Sequence, residues 1–434
     1  MDDGGTGSGE VDGLTRREFI RITAAGGAAV VLSSAVGAPP ARAADDHLRV
    51  YVLVADGMRP DEITSLTTPT LRSLQLAGTT YPQARSLPVM ETIPNHVMMM
   101  TGVRPDRSGV PANAVFDPAE GMVRNLDRAT DLRFTTVIER LGETGRITGT
   151  VLSKAYLFGI FGTRATHRWE PFPLIPVTEH APDAATMDAT IAMIDQFDPH
   201  LLFVNLGDVD RVGHSDVTGP LGVQAARRAS LTTQDAQVAR LVTHLQSTGR
   251  WGSSVLVVLA DHSMDWSIPT QVISIDQILA VRPDLRAAVQ IGQNGGADLV
   301  YWVAGTAGRR IGLAEIRRLV QQHTGVLSVQ QPRELRLGSE AGDLVAFCRP
   351  GWRFSDPAIT SNPIPGNHGH PATEPIPFFV AGGHPAVKQG IVAQAQARTV
   401  DVAPTVGALF GLRAPRGGYD GAVRRDGFRS MPLG

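Results

Sequence analysis

RVYVLVADG, residues 49–57, opens with seven mostly apolar residues and ends in an aspartate and a glycine. Apolar runs without polar alternation are typical of strands that are covered on both faces of a sheet. Two later runs have the same form, LLFVNL at 201–206 and SVLVVLA at 254–260. Helical patterns lie between and around them, at about 135–143, 183–196 and 224–246. The alternation predicts an α/β fold with a mostly parallel central sheet and helices on both faces.

Polar side chains follow each of the three predicted strands. Asp56 comes directly after the first strand, and Asp210 lies shortly after the second. Asp261 and His262 follow the third. Because loops at the carboxyl ends of parallel strands form the active crevice of such sheets, we expect these side chains to lie close together.

The composition narrows the possible classes of function. The chain has 434 residues, of which 42% are hydrophobic, and this is ample for a large buried core. Its formal net charge is −2, so we expect no nucleic-acid-binding patch and no general attraction to an anionic membrane. Cys348 is the only cysteine, which excludes an internal disulfide and a cysteine-rich zinc site. Lysine is rare, since Lys154 and Lys388 are the only two.

The first 43 residues have the layout of a signal peptide. Paired arginines in TRREFI, residues 15–20, precede an apolar run at 22–36 and a small-x-small site at 41–43. This pattern predicts export through the twin-arginine machinery, with a mature chain that starts near Ala44 and is secreted, periplasmic or held in the cell envelope. The apolar run is shorter than the roughly 20 residues of a membrane span, although an uncleaved anchor is the alternative. No other stretch predicts a membrane span.

The remaining chain, 44–434, is predicted to be one catalytic domain with an insertion. The strand–helix alternation breaks at about 266–360, where we expect a small α+β lid subdomain. Its predicted elements are a strand at 298–303, a helix at 313–323 and a strand at 344–347. The apolar run PFFVA at 377–381 returns to the core.

Metal-ligating residue types recur at loop positions along the chain. Asp210 and His214 are four residues apart, so a helical turn would let both face one ion. His368 lies in GNHGH, where the glycines permit tight turns, and His370 is an alternative ligand two residues later. Each signal alone is weak, because an Asp after a strand is most often a turn former or a helix cap. The candidate ligands as a set are Asp56, Asp210, His214, Asp261, His262 and His368.

A hydroxyl nucleophile accompanies this set. Thr92 lies in METIPNH, residues 90–96. Together with three carboxylates and three imidazoles, it forms the residue set of a two-metal hydrolase. Mixed oxygen and nitrogen ligands favour zinc, and Mn or Fe would also fit. One ion bound to Thr92 would lower the pKa of its hydroxyl.

The order of these motifs resembles the alkaline phosphatase superfamily, in its type I phosphodiesterase/nucleotide pyrophosphatase branch. TIPNH at 92–96 and TGVRPDRSGV at 101–110 carry the resemblance, which extends from about residue 48 to 412. It implies an alkaline phosphatase-like fold, with Thr92 as the nucleophile and Asn113 as the amide that supports the transferred phosphoryl group. It also implies two zinc sites, of which the first is formed by Asp210, His214 and His368, and the second by Asp56, Asp261, His262 and Thr92.

The expected reaction is hydrolysis of a small-molecule phosphodiester or of a nucleotide pyrophosphate bond. Asn113 donates hydrogen bonds without adding a charge, which favours diesters over monoesters. Phe116 is a candidate to stack on a base, and a core role is the alternative. A phosphonoacetate-type C–P hydrolase, a phosphomonoesterase and a transferase of cell-envelope phosphoryl headgroups remain alternatives. A sulfatase is disfavoured, because residues 92–96 lack the modifiable Cys or Ser and the Arg of that branch.

Overall fold

The computed structural model describes residues 48–176, 178–216, 224–356 and 365–431. The predicted signal peptide, 1–43, lies outside the described residues. Within the described ranges, no helix has both the length and the apolar composition that a membrane span requires.

The strands of the described residues are short and lie in one large sheet and several small ones. They are β1 (Arg49–Ala55), β2 (Thr79–Thr80), β3 (Ala114–Asp117), β4 (Met122–Asn125), β5 (Thr148–Leu152), β6 (His167–Trp169), β7 (Leu201–Leu206), β8 (Ser254–Leu259), β9 (Asp265–Trp266), β10 (Val272–Ile273), β11 (Val289–Gln293), β12 (Ala297–Trp302), β13 (Val326–Gln330), β14 (Leu344–Cys348), β15 (Arg353–Phe354), β16 (Gly366–Asn367), β17 (Phe378–Ala381) and β18 (Ile391–Val392).

The α-helices range from single turns to more than six turns. Those in the described ranges are α1 (Pro69–Ala77), α2 (Thr92–Thr101), α3 (Pro105–Ser108), α4 (Val137–Gly142), α5 (Ala155–Phe161), α6 (Asp183–Phe197), α7 (Asp208–Ser215), α8 (Ala225–Ser247), α9 (Ile275–Ile278), α10 (Pro283–Arg286), α11 (Arg309–Gln321) and α12 (Val402–Leu409).

The large sheet has eight strands in the order β18-β2-β17-β8-β1-β7-β5-β6. The three strands predicted from apolar runs are neighbours at its centre, where β1 pairs in parallel with β7 and with β8. Every residue of these three strands is buried. β17 joins the sheet antiparallel to β8, and β2 joins antiparallel to β17. The prediction of a mostly parallel central sheet in an α/β fold is therefore confirmed.

Strand β5 was not predicted from the sequence. It pairs in parallel with β7 and β6, yet its sequence, TGTVL, is not a continuous apolar run. A Cβ on Gly149 would lie 2.6 Å from Met193 Sδ of α6 and 2.8 Å from Leu202 Cδ1. A Cβ there would crowd two flexible side chains that pack against the strand, and the glycine weakens the apolar pattern by which strands are recognised.

Helix α2 begins at Thr92, the candidate nucleophile. Pro94 is its third residue, and a proline in the first turn loses nothing because the first backbone N–H groups have no partner within the helix. All ten residues of α2 are buried. Thr92 is thus fixed at the amino-terminal end of a core helix.

The segment at about 266–360 contains a second sheet with the order β11-β12-β14-β13, in which all pairs are antiparallel. Helix α11 packs on this sheet, and Ile316 and Val320 of the helix join a separate apolar cluster that includes Cys348. The predicted elements therefore have counterparts here, at β12, α11 and β14. Its function as a lid stays a prediction.

Candidate metal centre

Two aspartates stand at the exits of adjacent central strands. Asp56 follows β1 and Asp261 follows β8 within two residues, and both are fully buried. Asp56 Oδ2 accepts a hydrogen bond from the Asn205 amide of β7 at 2.7 Å. Asp261 Oδ1 accepts from the backbone N–H groups of Gly57, at 3.1 Å, and His262, at 3.0 Å. One oxygen of each carboxylate is therefore held by hydrogen bonds from the sheet and its loops, while the other oxygen faces the remaining candidate ligands.

Helix α7 presents the aspartate–histidine pair. Asp210 and His214 are one turn apart on it, as their spacing predicted, and Asp210 Oδ1 lies 3.4 Å from His214 Nε2. The helix begins directly after β7, so it carries Asp210 to the same sheet edge as Asp56. Parallel strands thus bring three distant carboxylates together at their carboxyl ends.

The three candidate histidine ligands are oriented in the same way. Each Nδ1 donates to a backbone carbonyl, because a carbonyl oxygen can only accept: His214 to Gly366 at 2.8 Å, His262 to Ser263 at 2.9 Å and His368 to Met90 at 3.2 Å. This fixes the tautomer and leaves each Nε2 free to act as a ligand. His368 Nε2 lies 3.1 Å from His214 Nε2, so the imidazoles converge.

The six candidate ligands lie in one cluster, in which His214 is half-buried and the other five are buried. Asp210, His262 and His368 offer ligand atoms within 4.8 Å of one another, and so does a second group formed by Asp56, Asp261 and His96. His262 borders both groups, since its Nε2 lies 3.4 Å from Asp261 Oδ2 and 3.8 Å from Asp56 Oδ1. The assignment of individual ligands to two ions stays a prediction.

His96 differs from the other histidines of the cluster because both of its ring nitrogens are engaged. Nδ1 donates to the Thr92 carbonyl at 2.8 Å, and Nε2 lies 3.0 Å from the Asn205 amide nitrogen. The same amide donates to Asp56. His96 therefore positions its neighbours in α2 and β7, and a ligand role would break one of these bonds.

The electrostatics of the cluster favour cation binding. Burial lowers the pKa of His262 to about 4 and that of His368 well below its ordinary value, so both imidazoles are neutral, as metal ligation requires. Burial, together with neighbouring carboxylates, raises the pKa of Asp56, and burial also raises that of Asp261. Crowded buried carboxylates are costly unless a positive charge lies among them.

Lys154 supplies such a charge, and the sequence did not single it out for a role. It is fully buried, and its Nζ lies 2.8 Å from Asp56 Oδ1 and 2.7 Å from Asp210 Oδ2. Burial opposes its charge, but the two carboxylates outweigh burial and raise its pKa. In return, although burial alone would raise it, the ammonium and the nearby imidazoles hold the pKa of Asp210 well below its usual range.

Thr92 lies within the same cluster. Its Oγ1 is 3.2 Å from His262 Nε2 and 3.5 Å from Lys154 Nζ. As the first residue of α2, it also lies at the positive end of that helix dipole. A hydroxyl so placed can become an anionic nucleophile when a divalent cation binds beside it.

Asn113 is held close to Thr92 by two hydrogen bonds. Its Oδ1 accepts from the Ile93 backbone N–H at 2.8 Å, and its own backbone N–H donates to Glu91 Oε2 at 2.7 Å. Because Oδ1 must accept from an N–H, the side-chain NH2 group is the end that is left to donate to a substrate oxygen. Burial raises the pKa of Glu91 to about 8. The predicted support of the phosphoryl group by Asn113 stays a prediction.

Two further candidates, Phe116 and His370, lie at the margin of the centre. Phe116 is half-buried in β3 and packs on Tyr301 of the second sheet, with ring centroids 5.7 Å apart. Its proposed stacking on a base stays a prediction. His370, the alternative to His368, lies instead 3.3 Å from Asp265 Oδ2. Asp208 accepts from Asp183 N–H and lies 2.9 Å from His180, at the start of α7.

The donor set fits divalent cations such as zinc. Asp210 Oδ1 and Asp261 Oδ2 are buried and accept no hydrogen bond from any described residue. A buried carboxylate oxygen without a partner is rare and calls for a ligand. These oxygens lie beside the Nε2 atoms of His214 and His262, each at 3.4 Å. Neutral imidazole nitrogens and carboxylate oxygens are the ligands that zinc takes in open hydrolytic sites.

Gly296 leaves room for the loop that carries the candidate ligand His368. A Cβ there would overlap the His368 carbonyl oxygen and come within 2.8 Å of His370 Cδ2. We expect Gly296→Ala to displace the ligand loop and to weaken zinc binding by about 10- to 100-fold. Titration of the metal-free protein with zinc checks this. Gly252→Ala is the control, because no atom of the described residues lies within 4 Å of its Cβ position. Equal zinc affinity in both variants would contradict the prediction.

Solved structures place the fold in a known class. Murine ectonucleotide pyrophosphatase/phosphodiesterase 5 matches with a TM-score of 0.72 at 18% identity, covering 88% of this chain and all of that chain. An inactive variant of the same murine protein, in complex with AMP, matches with a TM-score of 0.73 at 18% identity over the same shares of both chains. The fold is therefore alkaline phosphatase-like, as predicted.

The family follows from the sequence. The pattern of the type I phosphodiesterase/nucleotide pyrophosphatase family matches residues 50–371. The chain belongs to this family, within the alkaline phosphatase superfamily, and is a phosphodiesterase-like hydrolase. Human ectonucleotide pyrophosphatase/phosphodiesterase family member 5 is 22% identical over 393 residues, covering 85% of this chain and 76% of the relative. Mouse bis(5'-adenosyl)-triphosphatase is 22% identical over 380 residues, covering 84% and 78%.

Proposed function

We propose that this protein hydrolyses phosphodiester or pyrophosphate bonds, with Thr92 as the nucleophile. Two divalent cations, for which zinc is the first choice, are held by the six aspartates and histidines. The observation that carries the proposal is the position of Thr92 Oγ1, 3.2 Å from His262 Nε2 inside the buried ligand cluster. A hydroxyl in that position needs an adjacent ion or base to become a nucleophile, and the cluster supplies the ligands for one.

The proposed reaction has two steps. Thr92 Oγ1 loses its proton and attacks phosphorus, the Oγ1–phosphorus bond forms, and the bond from phosphorus to the leaving oxygen breaks as that oxygen takes up the proton. Water then attacks the threonine-bound phosphoryl group, which still carries its remaining ester substituent. The oxygen of this water stays on phosphorus, the Oγ1–phosphorus bond breaks, and one proton of the water returns Thr92 to a hydroxyl. Bound divalent ions would lower the pKa of the attacking groups and polarise the phosphoryl oxygens. Asn113 donates a hydrogen bond to a non-bridging oxygen of the phosphoryl group. The Lys154 ammonium, whose Nζ lies 3.5 Å from Thr92 Oγ1, stabilises the anionic form of Thr92 Oγ1.

The substrate class is inferred from chemistry and from the relatives together. An amide at the phosphoryl subsite suits a group that carries one negative charge, as in a diester. The relatives are named as nucleotide pyrophosphatases and as bis(5'-adenosyl)-triphosphatases. We infer that a nucleotide or a similar phosphoric anhydride is the substrate. We also propose export by the twin-arginine route, which the sequence of residues 1–43 indicates. This agrees with a relative whose name, ectonucleotide pyrophosphatase/phosphodiesterase, places it outside the cell.

Removal of the metal tests the function. We expect dialysis against a chelator to reduce hydrolysis of bis-p-nitrophenyl phosphate by at least about 100-fold, and zinc to restore it, since the ions activate the nucleophile and neutralise phosphoryl charge. The readout is p-nitrophenolate release alongside elemental analysis of the same sample. Full activity in protein freed of metal would overturn the proposal.

A substrate panel on zinc-loaded protein separates the members of the superfamily. It compares a phosphodiester, a phosphomonoester, a sulfate ester and phosphonoacetate at equal concentration. We expect the diester to be turned over fastest. A preference for phosphonoacetate or for the monoester would replace the proposed reaction by one of those alternatives, and transfer to an added alcohol, detected by mass spectrometry, would indicate a transferase.

A further inference from the structure

Arg211 lies next to a candidate metal ligand but takes no part in the proposed chemistry. It follows Asp210 in α7, and its side chain is 23% exposed, whereas that of Asp210 is 1% exposed. The side chain therefore spans the distance from the buried centre to the solvent. Its Nη2 donates to the Tyr156 hydroxyl at 3.1 Å, and its guanidinium carbon lies 5.6 Å from the centre of that ring. Tyr156 thus fixes the orientation of the guanidinium.

One donor of this guanidinium is unused. Arg211 Nε is buried and donates to no acceptor among the described residues. The nearest carboxylate oxygen, Asp210 Oδ2, is 3.9 Å away and already accepts from Lys154 at 2.7 Å. A buried guanidinium N–H without an acceptor is unfavourable, and the fork of Arg is suited to two parallel bonds to a phosphate or a carboxylate.

The unused donor lies on one side of the nucleophile. Lys154 connects the two, since its Nζ lies 3.5 Å from Thr92 Oγ1 and 5.8 Å from the centre of the Tyr156 ring. Successive contacts therefore link Thr92 to Arg211 through Lys154 and Tyr156. Because Asp56 and Asp210 compensate the charge of Lys154, the guanidinium of Arg211 is the group along this path that is left to meet an anion next to the attacked phosphorus.

We propose that Arg211, held by Tyr156, forms an anion subsite for a second negatively charged group of the substrate, adjacent to the phosphoryl group that is attacked. This inference rests on the proposed function and deepens it, because it selects substrates with two neighbouring anions over simple diesters. The second group is a phosphate, as in an anhydride, or a carboxylate. Both suit the bidentate geometry of a guanidinium.

Arg211→Gln removes the charge and keeps a polar side chain of similar reach. We expect the ratio of kcat/KM for ATP to kcat/KM for bis-p-nitrophenyl phosphate to fall by about 10- to 100-fold, the effect of a charge-assisted hydrogen-bond pair. Arg211→Lys should recover part of this ratio, because one ammonium cannot replace the fork. Arg317→Gln, at an exposed position of α11, is the control for loss of one positive charge. An unchanged ratio in Arg211→Gln would overturn the subsite.

A binding experiment identifies the source of the second anion and does not depend on turnover. Pyrophosphate and phosphonoacetate are titrated calorimetrically into zinc-loaded protein that carries Thr92→Ala, with and without Arg211→Gln. Weaker binding of pyrophosphate alone, upon loss of Arg211, supports a phosphate, and weaker binding of phosphonoacetate supports a carboxylate. Equal affinities for both ligands in both proteins would refute the inference. Failure of the proposed function would appear separately, as absence of turnover in the unmodified protein despite Arg211-dependent binding.

Discussion

Thr92→Ala is expected to lower the turnover of a phosphodiester by more than about 100-fold, because the covalent route then has no nucleophile. Metal content should remain close to that of the unmodified protein. The six candidate ligands do not depend on the Thr92 hydroxyl, since Asn205, Lys154, backbone N–H groups and backbone carbonyls hold them. The measurement is p-nitrophenolate release, with zinc determined on the same preparation.

Two further variants test whether the loss of activity is caused by the Thr92 hydroxyl itself. Thr92→Ser retains a hydroxyl at the start of α2 and should keep measurable activity. Thr101→Ala removes the hydroxyl at the other end of the same helix, where Oγ1 donates to the Val97 carbonyl, and should keep most of the activity. If Thr92→Ala kept more than about one per cent of the activity, the residual rate would be too high for loss of a nucleophile, and the assignment would be wrong.

Lys154→Met is expected to destabilise the metal-free protein by about 3–5 kcal/mol. The substitution keeps the shape of the side chain but removes the buried charge between Asp56 and Asp210, and breaking a buried ion pair leaves carboxylates without compensation. With zinc bound, divalent charges lie in the same cluster, so the loss of stability should be smaller. Denaturant unfolding with a chelator and with zinc measures the difference.

The other lysine provides the control for this prediction. Lys388 is half-buried and lies apart from the carboxylate cluster, so Lys388→Met should change the free energy of unfolding by no more than about 0.5 kcal/mol in either condition. A Lys154→Met protein as stable as its parent in chelator would show that the ammonium does not compensate the carboxylates. An equal loss of stability with and without zinc would show that the metal does not bind in the carboxylate cluster beside Lys154.

The central fold could be predicted because its signal is local. β1, β7 and β8 are continuous apolar runs, and such runs indicate strands that are buried on both faces. The proximity of Asp56 and Asp261 followed from the topology, since adjacent parallel strands end at one edge of a sheet. The order of motifs predicted the family, which the match over residues 50–371 confirms.

Lys154 could not be placed, because the strand before it was missed. It lies two residues beyond the end of β5, at the same sheet edge as Asp56. The glycine and threonines of β5 hide the strand, because they interrupt the apolar run by which strands are recognised. The only signal was its rarity, as one of two lysines in an arginine-rich chain. A prediction of β5 would have placed Lys154 by the same rule that placed the aspartates.

The hydrogen bonds that orient the imidazoles could not be predicted from the sequence either. Met90 and His368 are 278 residues apart, and the acceptor is a main-chain oxygen, which every residue type possesses. No residue pattern can mark such a partner. Contacts of this kind depend on how the loops pack against the sheet, and the sequence determines them only through the complete fold.

Main-chain anchoring of His214, His262 and His368 limits how this centre can diverge. Where a carboxylate or an amide side chain orients a ligand, one codon change can alter the basicity of the imidazole and, with it, the choice of ion. The carbonyls of Ser263 and Met90 remain when their side chains change, whereas a Cβ on Gly366 would overlap His214 Cα. Mutational drift at Ser263 and Met90 should therefore leave the orientation of His262 and His368 nearly constant. A change of metal preference is then expected to arise at Gly366, at the aspartates or at the side chains that hold them.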